Sequence, residues 1–183
     1  MIWLTSDHHF GHGNIIEYSN RPYDGVEEMN EELISNHNAV VSVKDTVYHL
    51  GDFTFRDAEY AKGIMERMNG IFTVIRGNHD YWTRKLKLTI KNLHEICDYK
   101  ELKHNKENFI LFHYPIERWR NSHHGVIHFH GHSHGECPHR ELRRMDVGVD
   151  PNYYVPVLLS KGLIESINER RVTPHHEAET DNS

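Results

Sequence analysis

The sequence has only two cysteines, Cys97 and Cys137, and it has no long hydrophobic run. Two cysteines cannot form the disulfide framework of a small secreted domain, so we expect a reduced, cytoplasmic setting. The N-terminus offers only Ile2, Trp3 and Leu4 before polar residues begin, which is too short for a signal peptide. No apolar stretch approaches the roughly 18 residues that span a bilayer, so we expect no membrane partner.

The chain also lacks an excess of positive charge. Lysine and arginine total 21 against 27 acidic residues, a formal net charge of -6. Stable binding to duplex nucleic acid is therefore not expected, because it needs a broad basic surface. The 183 residues suffice for one core, and we predict a single domain over residues 1–172. A flexible polar tail is predicted for residues 173–183, and the oligomeric state is left open.

Histidine is the residue type that the sequence has in excess, with 18 copies. It is the commonest metal ligand among side chains and also a general acid or base. Some copies, such as His123 and His124, lie in polar stretches, where we expect them to be solvated. Others stand directly after short apolar runs, where a binding site is expected.

Apolar runs and helical periodicity alternate along the chain, which indicates an α/β sheet. The predicted strands cover residues 1–5, 46–50, 71–75, 109–112, 126–130 and 144–149. The predicted helices cover residues 26–37, 58–68 and 157–167, with a further basic helix after Trp82 that contains Lys85, Lys87 and Lys91.

Ligand-type side chains follow five of these strands: Asp7 and His9, Asp52, Asn78, His113, and His132 with His134. Open α/β sheets bind ligands at the carboxyl ends of their strands. On extended backbone, residues i and i+2 face the same way, so the Asp-x-His and His-x-His pairs can each converge. Oxygen and nitrogen donors without a thiolate suit Mn²⁺, Fe²⁺, Zn²⁺, Co²⁺ or Ni²⁺. Hard Mg²⁺ or Ca²⁺ would prefer fewer imidazoles.

Five motifs occur in a fixed order: Asp7-His8-His9, Gly51-Asp52, Gly77-Asn78-His79-Asp80, a lone His113, and Gly131-His132-Ser133-His134. This series resembles the calcineurin-like metallophosphoesterase superfamily, in its small single-domain bacterial or phage form. The resemblance spans residues 7–134. It implies a four-layer α/β/β/α fold, a β-sandwich flanked by helices, in place of a doubly wound sheet.

The resemblance also implies a binuclear metal centre, with manganese favoured. It assigns Asp7, His9, Asp52 and His134 to the first ion, and Asp52, Asn78, His113 and His132 to the second. Metal-bound hydroxide would attack phosphorus at this centre, with Asp52 as the shared ligand.

His79 would protonate the leaving group, according to the resemblance. The alternative is a hydrogen bond that merely orients Asn78. In some branches of the superfamily a carboxylate orients this histidine. Here Asp80 and Asp57 are both candidates, and the sequence leaves the choice open.

Candidate substrate contacts are His12, Asn14 and Arg21 in the loop after the first motif, and Arg76 and Tyr81 around the third. Arginine pairs with phosphate in bidentate fashion. Each of these residues can equally be an ordinary surface or turn residue.

Together these expectations describe a hydrolase, a phosphatase or phosphodiesterase that acts on phosphomonoesters or small phosphodiesters, nucleotides among them. The choice between monoester and diester, the physiological substrate and the native metal stay open. One alternative is a nuclease of the same superfamily, which the short acidic chain disfavours. The other is a catalytically inactive metal-binding scaffold, which the intact motifs disfavour.

Overall fold

The computed structural model describes residues 1–85, 87–138 and 141–172, so the predicted tail at 173–183 lies outside the described residues. Within them the fold is mixed α/β. The strands are β1 Ile2–Thr5, β2 Thr46–His49, β3 Ile71–Ile75, β4 Leu93–Cys97, β5 Lys100–His104, β6 Glu107–Leu111, β7 Ile127–His130, β8 Arg144–Asp146 and β9 Val157–Leu158. The helices are α1 Asn14–Tyr18, α2 Val26–Val40, α3 Ala58–Met65 and α4 Lys161–Asn168. Across the described ranges, no helix is long and apolar enough to cross a lipid bilayer.

The first sheet has the strand order β4-β3-β2-β1-β9. Strands β1 to β4 are parallel, and β9 pairs antiparallel to β1. In register, Trp3 lies beside Val47, which lies beside Phe72. Helix α2 connects β1 to β2 and α3 connects β2 to β3, which confirms the predicted alternation of strands and helices.

The second sheet has the order β5-β6-β7-β8. Strands β5 and β6 form an antiparallel hairpin, whereas β6, β7 and β8 are parallel. Asn105 and Lys106 connect the hairpin with φ angles of +50° and +69°. A two-residue turn with both residues in the left-handed region matches the twist of the strands it connects.

The first sheet is apolar on both faces. Leu33 of α2, Met65 of α3 and Phe72 of β3 share one hydrophobic cluster on its helical side. Leu4 of β1 and Phe129 of β7 share a second cluster, which joins the two sheets. A parallel sheet with both faces covered explains why its strands are apolar runs and not alternating patterns.

The predicted basic helix after Trp82 is wrong. A 3₁₀ turn spans Tyr81–Lys85 instead. Local hydrogen bonds to Asp80 compete with helix formation here: the buried Trp82 ring donates to the Asp80 carboxylate, and the Thr83 hydroxyl donates to the Asp80 carbonyl at 2.7 Å. Lys87 and Lys91 lie in irregular segments after this turn.

The predicted helix over 157–167 begins too early. Val157 and Leu158 form β9, which pairs with β1 at the edge of the first sheet. Ser160 is the N-cap of α4, and its side chain accepts a hydrogen bond from the backbone N–H of Leu163. The serine at this position is the standard helix-start signal, and it gives the observed boundary.

Three further elements were not predicted: α1, β4 and β5. Strand β5 shows the reason most clearly. It lies at the edge of the second sheet, and its Glu101 and Lys103 side chains are exposed. An edge strand with one wet face carries no apolar run to detect.

Candidate metal centre

The loops that follow strands of both sheets meet at one place. The backbone N–H of Asp7 donates to the carbonyl of Gly51 at 2.9 Å, and that of Gly131 donates to the carbonyl of His113 at 2.9 Å. The backbone N–H of His132 donates to the Asp7 carboxylate at 3.0 Å. This last bond connects the end of β7 in the second sheet to the end of β1 in the first.

A first group of possible ligands contains Asp7, His9 and His134, whose ligand atoms all lie within 4.8 Å of one another. The Ser6 hydroxyl donates to the Asp7 carboxylate at 2.6 Å. Both ring nitrogens of His9 are buried, and neither has a hydrogen-bond partner among the described residues. Since buried polar atoms are normally paired, a metal ion fits as the missing partner.

A second group contains Asp52, His113 and His132, with ligand atoms again within 4.8 Å of one another. The Nδ1 of His113 lies 2.8 Å from the Leu50 carbonyl, which can only accept, so Nδ1 carries the proton. The other nitrogen, Nε2, then faces the Asn78 Oδ1 at 3.0 Å. Two acceptors this close fit a shared cation.

The Asp52 carboxylate belongs to the second group and also approaches the first. Its Oδ2 is 3.7 Å from the Nε2 of His9 and 3.5 Å from the Nε2 of His113. Its Oδ1 accepts a hydrogen bond from the backbone N–H of His79 at 2.9 Å. The two groups are therefore neighbours that share one side of this carboxylate.

Left-handed backbone brings these side chains together. The φ angles are +58° at Asp7, +54° at His9, +57° at Asp52, +68° at His132 and +46° at His134. Residues other than glycine take this region at a cost of about 1 to 3 kcal/mol each, and such residues cluster at functional sites. The expectation that extended backbone orients the i and i+2 pairs is therefore wrong, although the pairs do reach the site. The last pair also divides, with one histidine in each group.

Two glycines permit the close approach of the loops. A Cβ on Gly131 would lie 2.4 Å from the Ser6 Oγ and 2.5 Å from the Asp7 Oδ2. A Cβ on Gly77 would lie 2.1 Å from the Asp52 Oδ1. These two positions therefore require glycine, because any side chain there would collide with the carboxylate of Asp7 or Asp52.

Arg21 lies beneath the first group, with its side chain fully buried. Its guanidinium donates to the carbonyl oxygens of Asp7 and His8 at 2.7 and 2.8 Å, and it forms two bonds to the Asp150 carboxylate. Asp150 in turn accepts from the Nδ1 of His134 at 2.7 Å. This position does not fit the predicted substrate contact for Arg21. It fits a support that fixes the His134 ring and leaves its Nε2 for a ligand.

Asp80, which follows the Asn78-His79 pair, connects two loops. Its Oδ2 accepts from the backbone N–H groups of Asp52 and Gly77 at 2.8 and 2.9 Å. Its Oδ1 accepts from the backbone N–H of Phe53 at 2.9 Å and from the Trp82 indole at 3.0 Å. Four donors converge on one buried carboxylate, so Asp80 fixes the backbone on which the Asp52 side chain stands.

Neither carboxylate considered from the sequence orients His79. Asp80 is occupied by these four donors, and Asp57 is the N-cap of α3. The His79 ring instead stacks on Phe55 with a centroid distance of 3.8 Å, and its Nε2 lies 3.9 Å from the Asp52 Oδ2. About a third of the His79 side chain is exposed, so a substrate can reach it.

The remaining predicted contacts lie at different places around the site. The His12 ring is 5.9 Å from the His9 ring, and Asn14 is exposed at the first residue of α1. Arg76 and Tyr81 line a groove beside Asn78.

Sequence reasoning missed Asp150 and Phe55. Asp150 directly follows the predicted strand at 144–149. The same signal that identified Asp7 and Asp52, a ligand-type side chain just after a predicted strand, therefore also applies to Asp150. Phe55 carried no signal, because a single aromatic residue in a loop is most often a packing residue.

Burial dominates the ionisation of the site. It raises the pKa of Asp7 to about 8, against the opposing effects of His134 and of the Ser6 hydrogen bond. Burial lowers the pKa of His113 and His132, which favours the neutral imidazole that binds metals. At His134 burial also acts to lower the pKa and is the largest single effect, but the hydrogen bond to Asp150 and the charges of Asp7 and Asp150 together outweigh it, so the net pKa is raised. A buried carboxylate such as Asp7 is stable in its charged form only beside a cation, so these residues fit divalent metal ions.

Comparison with known proteins places the chain among relatives of similar length. The chain matches no family model. It is 37% identical over 184 residues to the uncharacterized protein MJ1445 of Methanocaldococcus jannaschii, covering 92% of this chain and 97% of that protein. The chain belongs to the MJ1445 family.

Two further proteins are similar to this member of the MJ1445 family. The Gene 66 protein of Mycobacterium phage L5 is 27% identical over 179 residues, covering 81% of this chain and 86% of the phage protein. The crystal structure of AQ665 from Aquifex aeolicus, a protein of unknown function, superposes with a TM-score of 0.71 at 28% identity, covering 91% of this chain and 98% of that one. None of these names carries an activity, so a function for the MJ1445 family is argued from the site itself.

Proposed function

We propose that this protein is a calcineurin-like metallophosphoesterase that uses two divalent metal ions to hydrolyse phosphomonoesters or small phosphodiesters. One observation carries the proposal. The Asp52 Oδ2, which is part of the second ligand group and 3.5 Å from the Nε2 of His113, also lies 3.7 Å from the Nε2 of His9 in the first group. A carboxylate that faces two such groups is what a pair of metal ions with a shared ligand requires.

The proposed ligands are Asp7, His9, Asp52 and His134 for the first ion, and Asp52, Asn78, His113 and His132 for the second. Bound divalent ions would supply Lewis acidity to a phosphoryl oxygen and would lower the pKa of a water molecule. Asp7 and Asp52 bring only two negative charges and Asn78 brings none, so the loaded site stays positive and attracts phosphate. The oxygen and nitrogen donors suit Mn²⁺, which we favour, and also Fe²⁺, Zn²⁺, Co²⁺ or Ni²⁺.

His79 is the proposed general acid. Its ring stacks on Phe55, its Nε2 is 3.9 Å from the Asp52 Oδ2, and about a third of its side chain is exposed, which supports a role in protonating a leaving group. Burial lowers the pKa of His79, although the nearby Asp52 charge opposes this shift. A bound phosphate would add negative charge beside the ring and favour the protonated form that a general acid needs.

The four-layer α/β/β/α arrangement forms part of this proposal. It is supported by the contact between the two sheets through Leu4 and Phe129, and by the helices that cover the other face of the first sheet.

The test is a comparison of metal content and turnover in purified protein loaded with Mn²⁺. We expect hydrolysis of p-nitrophenyl phosphate or of bis-p-nitrophenyl phosphate by the wild type. Asp52→Asn should abolish turnover and metal loading together. His79→Ala should lower turnover by about 10²- to 10⁴-fold with metal content retained. His94→Ala, which removes an exposed histidine on β4, is the matched control and should change neither.

The outcomes separate the alternatives. Protein that binds no metal and hydrolyses neither ester would overturn the proposal. Full metal loading without turnover of any phosphoester would favour the inactive scaffold, and cleavage of single-stranded DNA or RNA in preference to small esters would favour the nuclease.

A further inference from the structure

A groove of about 550 Å³ lies beside the second ligand group. Asn78, a proposed metal ligand, lies on its wall. Tyr114 also lines it, and the Tyr114 ring is 4.9 Å from the ring of His113 and 4.7 Å from that of His132. The volume is within the range of small-molecule sites, about 300 to 1,000 Å³. A molecule whose phosphate reaches the ligands would therefore extend into this groove.

The groove combines aromatic rings with guanidinium groups. Tyr81, Phe112 and Tyr114 supply the rings, and Tyr81 is 56% exposed and Tyr114 is 37% exposed. The Arg84 guanidinium lies over the Tyr81 ring at 4.6 Å from its centroid. Exposed tyrosine rings beside arginine are the pattern that binds nucleobases by stacking, whichever base is present.

Arg76 supplies an oriented positive charge on the same wall. Its Nε donates to the Thr83 hydroxyl at 3.1 Å, and one terminal nitrogen donates to the Asp98 carboxylate at 2.6 Å. Asp98 also lines the groove and offsets part of this charge. Two arginines and two carboxylates, Asp98 and the buried Asp80, line the groove, so its lining has no net formal charge. Because four N–H groups bind the Asp80 carboxylate, the two guanidinium groups remain as the positive charges that a ligand in the groove would meet beside Asp98.

We propose that this groove binds the nucleoside part of the substrate, so that the protein acts on nucleotides. The inference rests on the proposed function, since it places the phosphate at the ligand groups. The base would stack on Tyr81 or Tyr114, and Arg76 and Arg84 would face the ribose or a further phosphate. The small volume of the groove and the net charge of -6 on the chain favour a single nucleotide over a polynucleotide strand.

Two substrates with the same scissile bond test the proposal. One is the p-nitrophenyl diester of thymidine monophosphate, and the other is methyl p-nitrophenyl phosphate, which lacks the nucleoside. In Mn²⁺-loaded wild-type protein, kcat/KM for the nucleoside diester should exceed that for the methyl diester by at least about tenfold. Tyr81→Ala should lower this ratio about tenfold, since it removes one stacking ring. Tyr81→Phe, which keeps the ring, should preserve the ratio, and so should Tyr153→Ala, which removes an exposed ring outside the groove.

Calorimetry provides a readout that does not need turnover. Thymidine monophosphate should bind the Mn²⁺-loaded protein about tenfold more tightly than glycerol phosphate, and Tyr81→Ala should remove this preference. If the protein prefers thymidine monophosphate in binding but hydrolyses neither diester, the nucleoside assignment of the groove stands and the phosphoesterase proposal fails. If both diesters are hydrolysed with equal efficiency and neither phosphate is preferred in binding, the groove assignment fails and the phosphoesterase stands. Tighter binding of a single-stranded oligonucleotide than of the mononucleotide would overturn the choice of a single nucleotide as occupant.

Discussion

Asp80→Asn is the sharpest test of how the metal centre is supported. Each oxygen of the Asp80 carboxylate accepts two N–H groups, and one donor on each oxygen comes from the loop that carries Asp52. Asparagine has almost the same shape but replaces one oxygen by an N–H₂ group. Whichever way the amide turns, two donors then face another donor.

The expected cost follows from the number of bonds lost. A hydrogen bond to a charged group contributes about 1.5 to 3 kcal/mol, so losing two costs about 3 to 6 kcal/mol. This is a large part of the roughly 5 to 15 kcal/mol by which a typical domain is stable. At about 2 to 4 °C per kcal/mol for a chain of this size, the midpoint of thermal unfolding should fall by at least about 6 °C. The Asp52 backbone loses its anchor at the same time, so Mn²⁺ affinity should fall about 10- to 100-fold, as it does when support for a ligand is removed.

Thermal unfolding of the metal-free protein and calorimetric titration with Mn²⁺ measure the two effects. Asp57→Asn is the matched control, because Asp57 is an exposed N-cap and asparagine caps helices equally well. An Asp80→Asn protein that unfolds within about 2 °C of the wild type and binds Mn²⁺ normally would refute the argument.

Three further changes address other parts of the site. Asp150→Asn should weaken Mn²⁺ binding about 10- to 100-fold in calorimetry, because the His134 Nδ1 loses its carboxylate partner; unchanged affinity would remove Asp150 from the support of the site. Gly131→Ala should lower thermal stability and metal content, since its Cβ would collide with Asp7, whereas Gly162→Ala on α4, with no atom within 4 Å, should be neutral or stabilising. Because burial raises the pKa of Asp7 to about 8 from 3.8, this group stabilises the metal-free protein fully below about pH 4 and loses that contribution as the pH rises through about 8. In urea unfolding, Asp7→Asn should therefore gain stability relative to the wild type between about pH 4 and pH 9, and a constant difference would contradict the assigned pKa.

The sequence was a good guide to the central, buried strands and a poorer guide to the strands at the sheet edges. Strands such as β2 and β3 are buried on both faces, so their apolar runs are unmistakable. The edge strands β5 and β9 were missed for the opposite reason. One face of β5 is exposed to solvent, so β5 has no apolar run, and β9 has only two residues. The predicted helix after Trp82 was wrong because it rested on the spacing of the lysines, whereas local hydrogen bonds from Trp82 and Thr83 to Asp80 hold the chain in a short 3₁₀ turn.

Prediction of the candidate site followed the same division. The donor residues were identifiable, because each stands at the end of an apolar run and carries a ligand-type side chain. Their supports were not recognisable as supports. Asp150 also follows a predicted strand, but its contact with Arg21, 129 positions away in the chain, exists only in the fold. An arginine in a loop suggests a phosphate contact. Here Arg21 instead binds the Asp150 carboxylate, and Asp150 in turn orients the His134 ring.

The left-handed backbone of five candidate ligands explains why supports of this kind are needed. Five such residues together cost about 5 to 15 kcal/mol, which is comparable to the whole stability of a domain. Arg21 binds the carbonyl of Asp7, and Asp80 binds the backbone N–H of Asp52, so both act on the main chain and not on metal-facing atoms. The strain is therefore held by bonds that do not depend on an ion. A site built in this way is preorganised, because its donors converge before a metal arrives and its geometry does not have to be paid for at the moment of binding.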